Sequence, residues 1–302
     1  MRQRGVALIT AIVLVAIATV LAVHIGTRAA LDLRRTTGLA ALDQGWQVAL
    51  GAEAWAAEVL KDDDTTTDHL AEAWAQPLPP LPIDGGELRG ALEDMQGRFN
   101  LNNLVKPDRT VNEQQVEVFQ RLLVLVGAQE RWAGMMADWL DADTVPHMVD
   151  GAEDGTYLSQ SPPYRAANVL VTTTTEMMAL PGMTRDEFER IRPYVAALPV
   201  GTTINLCTAK APVLSALVEG GTDFGDAELL ASNRKDGCYP TTEFLKSDPA
   251  SWNQIQSLVD EKSDWFRAVT AVRIGTSEFT LYSLMNRNGT AIRTVIRSTG
   301  TE

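Results

Sequence analysis

The sequence lacks most of what catalysis and nucleic-acid binding are built from. It has three histidines, two cysteines and 26 Lys and Arg against 39 Asp and Glu, for a formal net charge of −13. Phosphate contacts need clustered Lys and Arg, so this balance argues against nucleic acid as a partner. His24 lies in an apolar run, while His69 and His147 stand alone without a nucleophile motif, which leaves no histidine-based triad. There is no Gly-rich phosphate loop, C-x-x-C pair or zinc-spaced cluster. No enzymatic activity is expected.

Two further absences shape the N-terminal fifth. No Asp, Glu, Lys or Arg interrupts Val6 to Ile25, and no proline occurs before Pro77. A run of about 20 apolar residues spans a hydrocarbon core of roughly 30 Å as a helix, so the chain is expected to be anchored in membrane lipid. Arg2 and Arg4 lie in a five-residue leader that ends in Gly5 directly against Val6, the arrangement cut in type IV prepilin-like proteins. A secretory signal peptide is the rival reading, but its apolar region is usually only about 7–15 residues with a small-residue site after it. Arg28, Arg34 and Arg35 balance the leader arginines, so charge bias does not set the orientation.

Beyond the apolar run, Leu39, Leu42, Trp46, Ala49, Leu50, Ala57 and Leu60 recur at steps of three and four, which predicts one long helix over residues 6–61. Pro77, Pro79, Pro80 and Pro82 then mark an extended connector. At the other end, residues 265–274, 278–286 and 291–298 are rich in Val, Ile, Thr, Tyr and Phe, and Asn288-Gly289 signals a hairpin turn. An antiparallel meander is expected there, with a further strand or two in 87–101. Between about 110 and 217 the period is helical, as in Val116, Phe119, Leu122, Leu123 and Val126. The expected fold is α+β, a long N-terminal helix on an antiparallel sheet with a large inserted helical domain. Its divisions are a leader (1–5), the long helix (6–61), a first head segment (62–109), the insertion (110–217) and a second head segment (218–302).

Four groups of residues invite chemistry. Asp138, Asp141, Asp143, Asp150, Glu153 and Asp154, followed by Tyr157, form an acidic cluster. Hard cations take six to eight oxygens, and Asp141 and Asp143 with Glu153 and Asp154 can close on one ion. The spacing is not that of an EF-hand, and a solvated acidic loop remains open. Asp223, Asp226 and Asp236 offer a weaker second cluster. Cys207 and Cys238 suit one bridge in an oxidising compartment or a reduced buried pair. Residues 178–184 and 203–209 resemble helix-hairpin-helix turns, but their acidic surroundings favour a packing role.

The leader, Gly-Arg-Phe-Asn-Leu-Asn at 97–102, Asp-Trp-Leu-Asp-Ala-Asp at 138–143, Gly-Ala-Glu-Asp at 151–154 and Pro-Tyr-Arg-Ala-Ala-Asn at 163–168 resemble the K-type minor pseudopilins of the type II secretion system. The resemblance covers essentially the whole chain. It implies a pilin-like head with a helical insertion at the pseudopilus tip, on the periplasmic side of a bacterial inner membrane. I-type and J-type minor pseudopilins, the major pseudopilin filament and prepilin peptidase are the implied partners. Cleavage between Gly5 and Val6, methylation of the new amino group and Ca²⁺ at the acidic cluster are implied as well.

Pilins generally carry Glu at the fifth residue after the cut, where this chain has Thr10. A Glu buried among apolar helices is costly unless it meets an opposite charge. A tip subunit has no neighbour above to neutralise, and a threonine hydroxyl can bond a preceding carbonyl instead. A type IV pilus minor pilin and a membrane-anchored periplasmic calcium-binding protein remain the alternatives.

Overall fold

The computed structural model describes residues 4–76, 78–147, 150–218, 232, 234, 237–238 and 241–299. With no proline to break it, the N-terminal segment forms one 58-residue helix, α1 (Arg4–Lys61), which Gly38, Gly45 and Gly51 do not interrupt. Its first half is exposed along the apolar run, and its second half lies on a sheet.

That sheet has five antiparallel strands in the order β1-β2-β7-β8-β9. They are β1 (Leu81–Ile83), β2 (Gly86–Asp94), β7 (Trp265–Ile274), β8 (Ser277–Asn288) and β9 (Ala291–Thr299). β7 to β9 form the expected meander, and β1 adds a short edge strand inside the proline-rich connector. Alternate residues of a strand share one face, so Phe266, Ala268 and Val272 turn toward α1 together with Leu281 and Met285. Leu60 near the end of α1 packs with Phe266, and Ala49 three turns earlier packs with Val272. The sheet therefore runs along the helix, with Asp94 and Trp265 at the end away from the apolar run.

The chain leaves the sheet after Asp94 and returns at Trp265, and the intervening region builds its own core. That core draws on residues from Phe99 to Val259, wider than the 110–217 that helical period suggests. The helices α2 (Glu113–Leu125) and α3 (Arg131–Leu140) supply its centre, with Phe119 stacked on Phe99 at 5.0 Å. Its margins are held by two-residue parallel pairs too short to show a period: β3 (Phe99–Asn100) with β4 (Val195–Ala196), and β5 (Ile204–Asn205) with β6 (Val259–Asp260). Asn100 accepts from Leu198 N at 2.9 Å, and Asn102 both donates to Val171 O and accepts from Val171 N at 2.9 Å. These asparagines, part of the 97–102 motif, fasten the start of the insertion to its far side.

Where insertion meets sheet, buried Asp94 accepts from Asn205, Ser263 and Thr208. Cys207 and Cys238 are joined as a disulfide. Of the two segments that resemble helix-hairpin-helix turns, the first bends at Gly182 (φ +89°), and Thr184 caps helix α5 (Arg185–Ile191). Leu180, Met183 and Leu206 are buried, so both segments pack the insertion.

Candidate metal centre and the N-terminal helix

α3 ends at Leu140, and a loop carries the chain to the short helix α4 (Asp154–Tyr157). The turn that closes α3 is held from outside: Arg109, in the left-handed region at φ +68°, donates Nε to Leu140 O (3.0 Å) and Nη2 to Asp141 O (2.7 Å). Asn168 donates to Asp143 O at 2.7 Å. The Arg109 bonds satisfy carbonyls that a helix end leaves without partners, and the Asn168 bond ties down the loop that follows.

Within this frame Asp138, Asp141 and Glu153 come together, each offering a carboxylate oxygen within 4.8 Å of the others, and all three are buried. Asp138 accepts from His147 N at 3.0 Å and from Ala152 N at 2.7 Å, which curls the loop around it. The curl requires Gly151, because a Cβ there would stand 2.5 Å from Asp138 Oδ2 and 2.3 Å from His147 O. By contrast Asp141 Oδ1 and both oxygens of Glu153 are buried without a hydrogen-bond partner. None of the three makes an ion pair with Lys or Arg among the described residues.

Burial and mutual repulsion push these carboxyls up. Desolvation is the larger cause in each case; it and the neighbouring acids raise Asp138 and Asp141 to about 6 and Glu153 to about 7. Buried oxygens without donors are uncommon in folded proteins, and the nearby Arg109, which is held on backbone carbonyls, offsets the mutual repulsion of the three carboxyls only in part. A hard divalent cation such as Ca²⁺, which takes six to eight oxygens, fits this donor set. Asp143 and Asp154 stand outside the triad. Asp143 accepts from Val145 N at 2.7 Å, and Asp154 meets Arg165 and Ala166 N, each at 3.2 Å. Asp150 is exposed, and Tyr157 packs edge-on to Trp139 with ring centroids 5.2 Å apart.

A second acidic group shows the contrast. Asp63, Asp68 and Glu72 also converge, but Arg287 donates to both aspartates, and Trp74 Nε1 donates to Glu72 at 2.5 Å. That cluster is an internal ion-pair network rather than an open site. Asp223, Asp226 and Asp236 lie outside the described residues.

Neither Arg109 nor Asn168 is marked as part of the site by the sequence. Asn168 ends the 163–168 motif, but nothing local signals that Arg109 braces a helix more than twenty residues further along.

At the N-terminus, α1 is long and apolar enough to cross a membrane, and its apolar window is not buried against the protein. Gly5 and Val6 lie in its first turns, and Thr10 Oγ1 donates to Ala7 O at 3.0 Å. The hydroxyl is thus satisfied within its own helix.

Residues 97–200 match the family model described as type II secretion system protein K. The type II secretion system protein K of Pseudomonas aeruginosa is 36% identical over 99% of this chain and 93% of its own length. That of Pectobacterium carotovorum is 31% identical over 99% of this chain and 97% of its own. Among solved structures, a chain of the GspK–GspI–GspJ complex of the enterotoxigenic Escherichia coli type 2 secretion system superposes with a TM-score of 0.77 at 25% identity. The match covers 89% of this chain and all of that one.

Proposed function

The chain belongs to the type II secretion system protein K family, and we propose that it is a minor pseudopilin that forms the tip of the pseudopilus and initiates its assembly. In that role it helps folded periplasmic proteins leave across the outer membrane. The observation that carries this reading is where the insertion sits. It leaves the sheet between β2 and β7 at the end farthest from the apolar half of α1. With α1 anchored in the inner membrane, the bulk of the insertion occupies the side on which another subunit would stack. Head-to-tail contacts propagate a filament only while that surface is free.

Thr10 supports the same role. Bonded to Ala7 O, it needs no charged neighbour, as a subunit with nothing above it requires. The leader would be removed between Gly5 and Val6 by prepilin peptidase, with methylation of the new amino group. The processed helix would then leave membrane lipid to join the major pseudopilin filament. The relative of known structure was crystallised with its GspI and GspJ partners. This chain is taken to assemble with the corresponding I- and J-type minor pseudopilins.

Ca²⁺ would sit among Asp138, Asp141 and Glu153, with Asp143 and Asp154 flanking. Its chemistry there is neutralisation of three buried carboxylates. The residues themselves do the rest: Asp138 gathers the loop through His147 N and Ala152 N, and Arg109 holds the end of α3. The metal is therefore structural, fixing the loop between α3 and α4.

The test is size-exclusion chromatography with light scattering on heads lacking residues before Arg28, mixed with the I- and J-type heads. A one-to-one-to-one complex and no self-association are expected. Homopolymers of this head, or no complex, would contradict the assignment.

A further inference from the structure

The last strand of the sheet presents a free edge. β9 pairs with β8 on one side, and from Ala291 to Arg297 its backbone makes no other hydrogen bond among the described residues. Sheet edges template pairing with other chains unless they are short, charged, bulged or broken by proline. The opposite edge follows that rule: β1 has three residues, one of them Pro82. β9 has nine residues and no proline. It does carry two blunting devices, the charges of Arg293 and Arg297 and a bulge at Val295, which has no partner on β8 and is 55% exposed, so the edge is open on either side of the bulge and to a strand that meets arginine favourably.

The charge of this edge is unlike that of the rest of the chain. Between Glu278 and Glu302 there is no acidic residue but three arginines, in a protein of net charge −13. Arg287 and Arg297 are engaged by Asp68 and Glu53. Arg293 is exposed and has no carboxylate partner among the described residues. On the face turned away from α1, Ile296 and Ser298 border a cleft of about 400 Å³. Its floor is Tyr282 and Leu284, and the threonine run 172–175 of the insertion forms its far wall.

We propose that β9 is a docking strand, whose free edge pairs with an extended, acidic segment of a partner minor pseudopilin and receives its alternate side chains in the cleft. Strand addition draws affinity from the backbone and specificity from pockets for alternate residues, and both parts are present here. Arg293, the arginine of this stretch without a carboxylate partner among the described residues, selects an acidic segment over a second copy of the same edge. This inference rests on the assembly with I- and J-type partners proposed above.

The test takes the full chain in detergent micelles with the I- and J-type partners of its own secretion system, read by residue-resolved amide hydrogen exchange. In the complex, alternate amides on each side of the bulge are expected to exchange at least tenfold more slowly, as strand pairing requires. Arg293→Glu, at an exposed position that leaves the fold alone, is expected to weaken the complex at least tenfold. A complex that forms with β9 exchange unchanged, or slowed uniformly rather than alternately, would overturn the docking strand and leave the family role intact. Slowing that grows with concentration of the chain alone would mean a second copy and also overturn it. An Arg293→Glu complex of unchanged affinity would overturn the acidic partner, and absence of any complex would overturn both readings.

Discussion

Glu53 on α1 and Arg297 on β9 form a two-pronged ion pair, with Arg297 Nε 2.8 Å from Oε2 and Nη2 2.7 Å from Oε1. Ser283 and Thr294 donate to the same carboxylate, at 2.5 and 2.9 Å. One side chain of the long helix thus gathers the last two strands of the meander, β8 and β9. Burial by itself would raise the Glu53 carboxyl, but the bonds from Arg297, Ser283 and Thr294 outweigh it and hold it below its ordinary value.

Glu53→Ala should therefore destabilise the chain by about 1–3 kcal/mol, the range for losing hydrogen bonds to a buried charged group. Because the folded carboxyl is lowered, its contribution is full above the ordinary carboxylate range and is lost as pH falls through the lowered value. Urea unfolding at pH 7 and at pH 3 checks this. The wild-type advantage over the variant should shrink at the lower pH, and an equal advantage at both would contradict it.

The acidic triad works in the opposite sense. Carboxyls raised to about 6 and 7 make the metal-free folded state hold more protons than the unfolded one. Metal-free stability should thus decline as pH rises from the ordinary carboxylate range through about 7. Calcium should reverse this decline, binding more weakly at pH 5.5 than at pH 7.5 because protons compete for the same oxygens. At calcium about 100 times its Kd, binding adds about 2.7 kcal/mol, which Asp141→Ala with Glu153→Ala should abolish together with any response to chelator. Thermal melts with calcium and with chelator decide it: a wild-type chain that ignores chelator has no such site.

Processing gives a separate handle on the N-terminus. Glycine leaves the scissile backbone unhindered, so Gly5→Val should leave a full-length precursor in the inner membrane and stop secretion. Mass spectrometry of the extracted protein reads the outcome directly. Wild type should begin at a methylated Val6, and normal removal of five residues from the variant would remove the basis for a prepilin leader.

The parts of the fold legible in the sequence are those with a sustained period. α1 follows from an uncharged run and the absence of proline, and β7 to β9 from β-branched and aromatic alternation ended by Asn288-Gly289. The insertion is wider than its helices suggest because β3 to β6 are two residues each, too short to leave a pattern. At the acidic site, spacing points to the stretch but does not tell which of its carboxylates converge. Asp141 and Glu153 turn inward while Asp143 and Asp154 find local donors, a choice made by the loop around Gly151. The bracing by Arg109 and the clamp of Glu53 on Arg297 join residues far apart in the chain, and no local signal encodes either.

The central claim, that this subunit caps the pseudopilus, is tested most directly by locating it on assembled filaments. Gold label on an epitope placed in the exposed turn at Asn288-Gly289, viewed by electron microscopy of sheared pseudopili, gives the position. Label at one end of each filament is the predicted result, and label spaced along the shaft would contradict it.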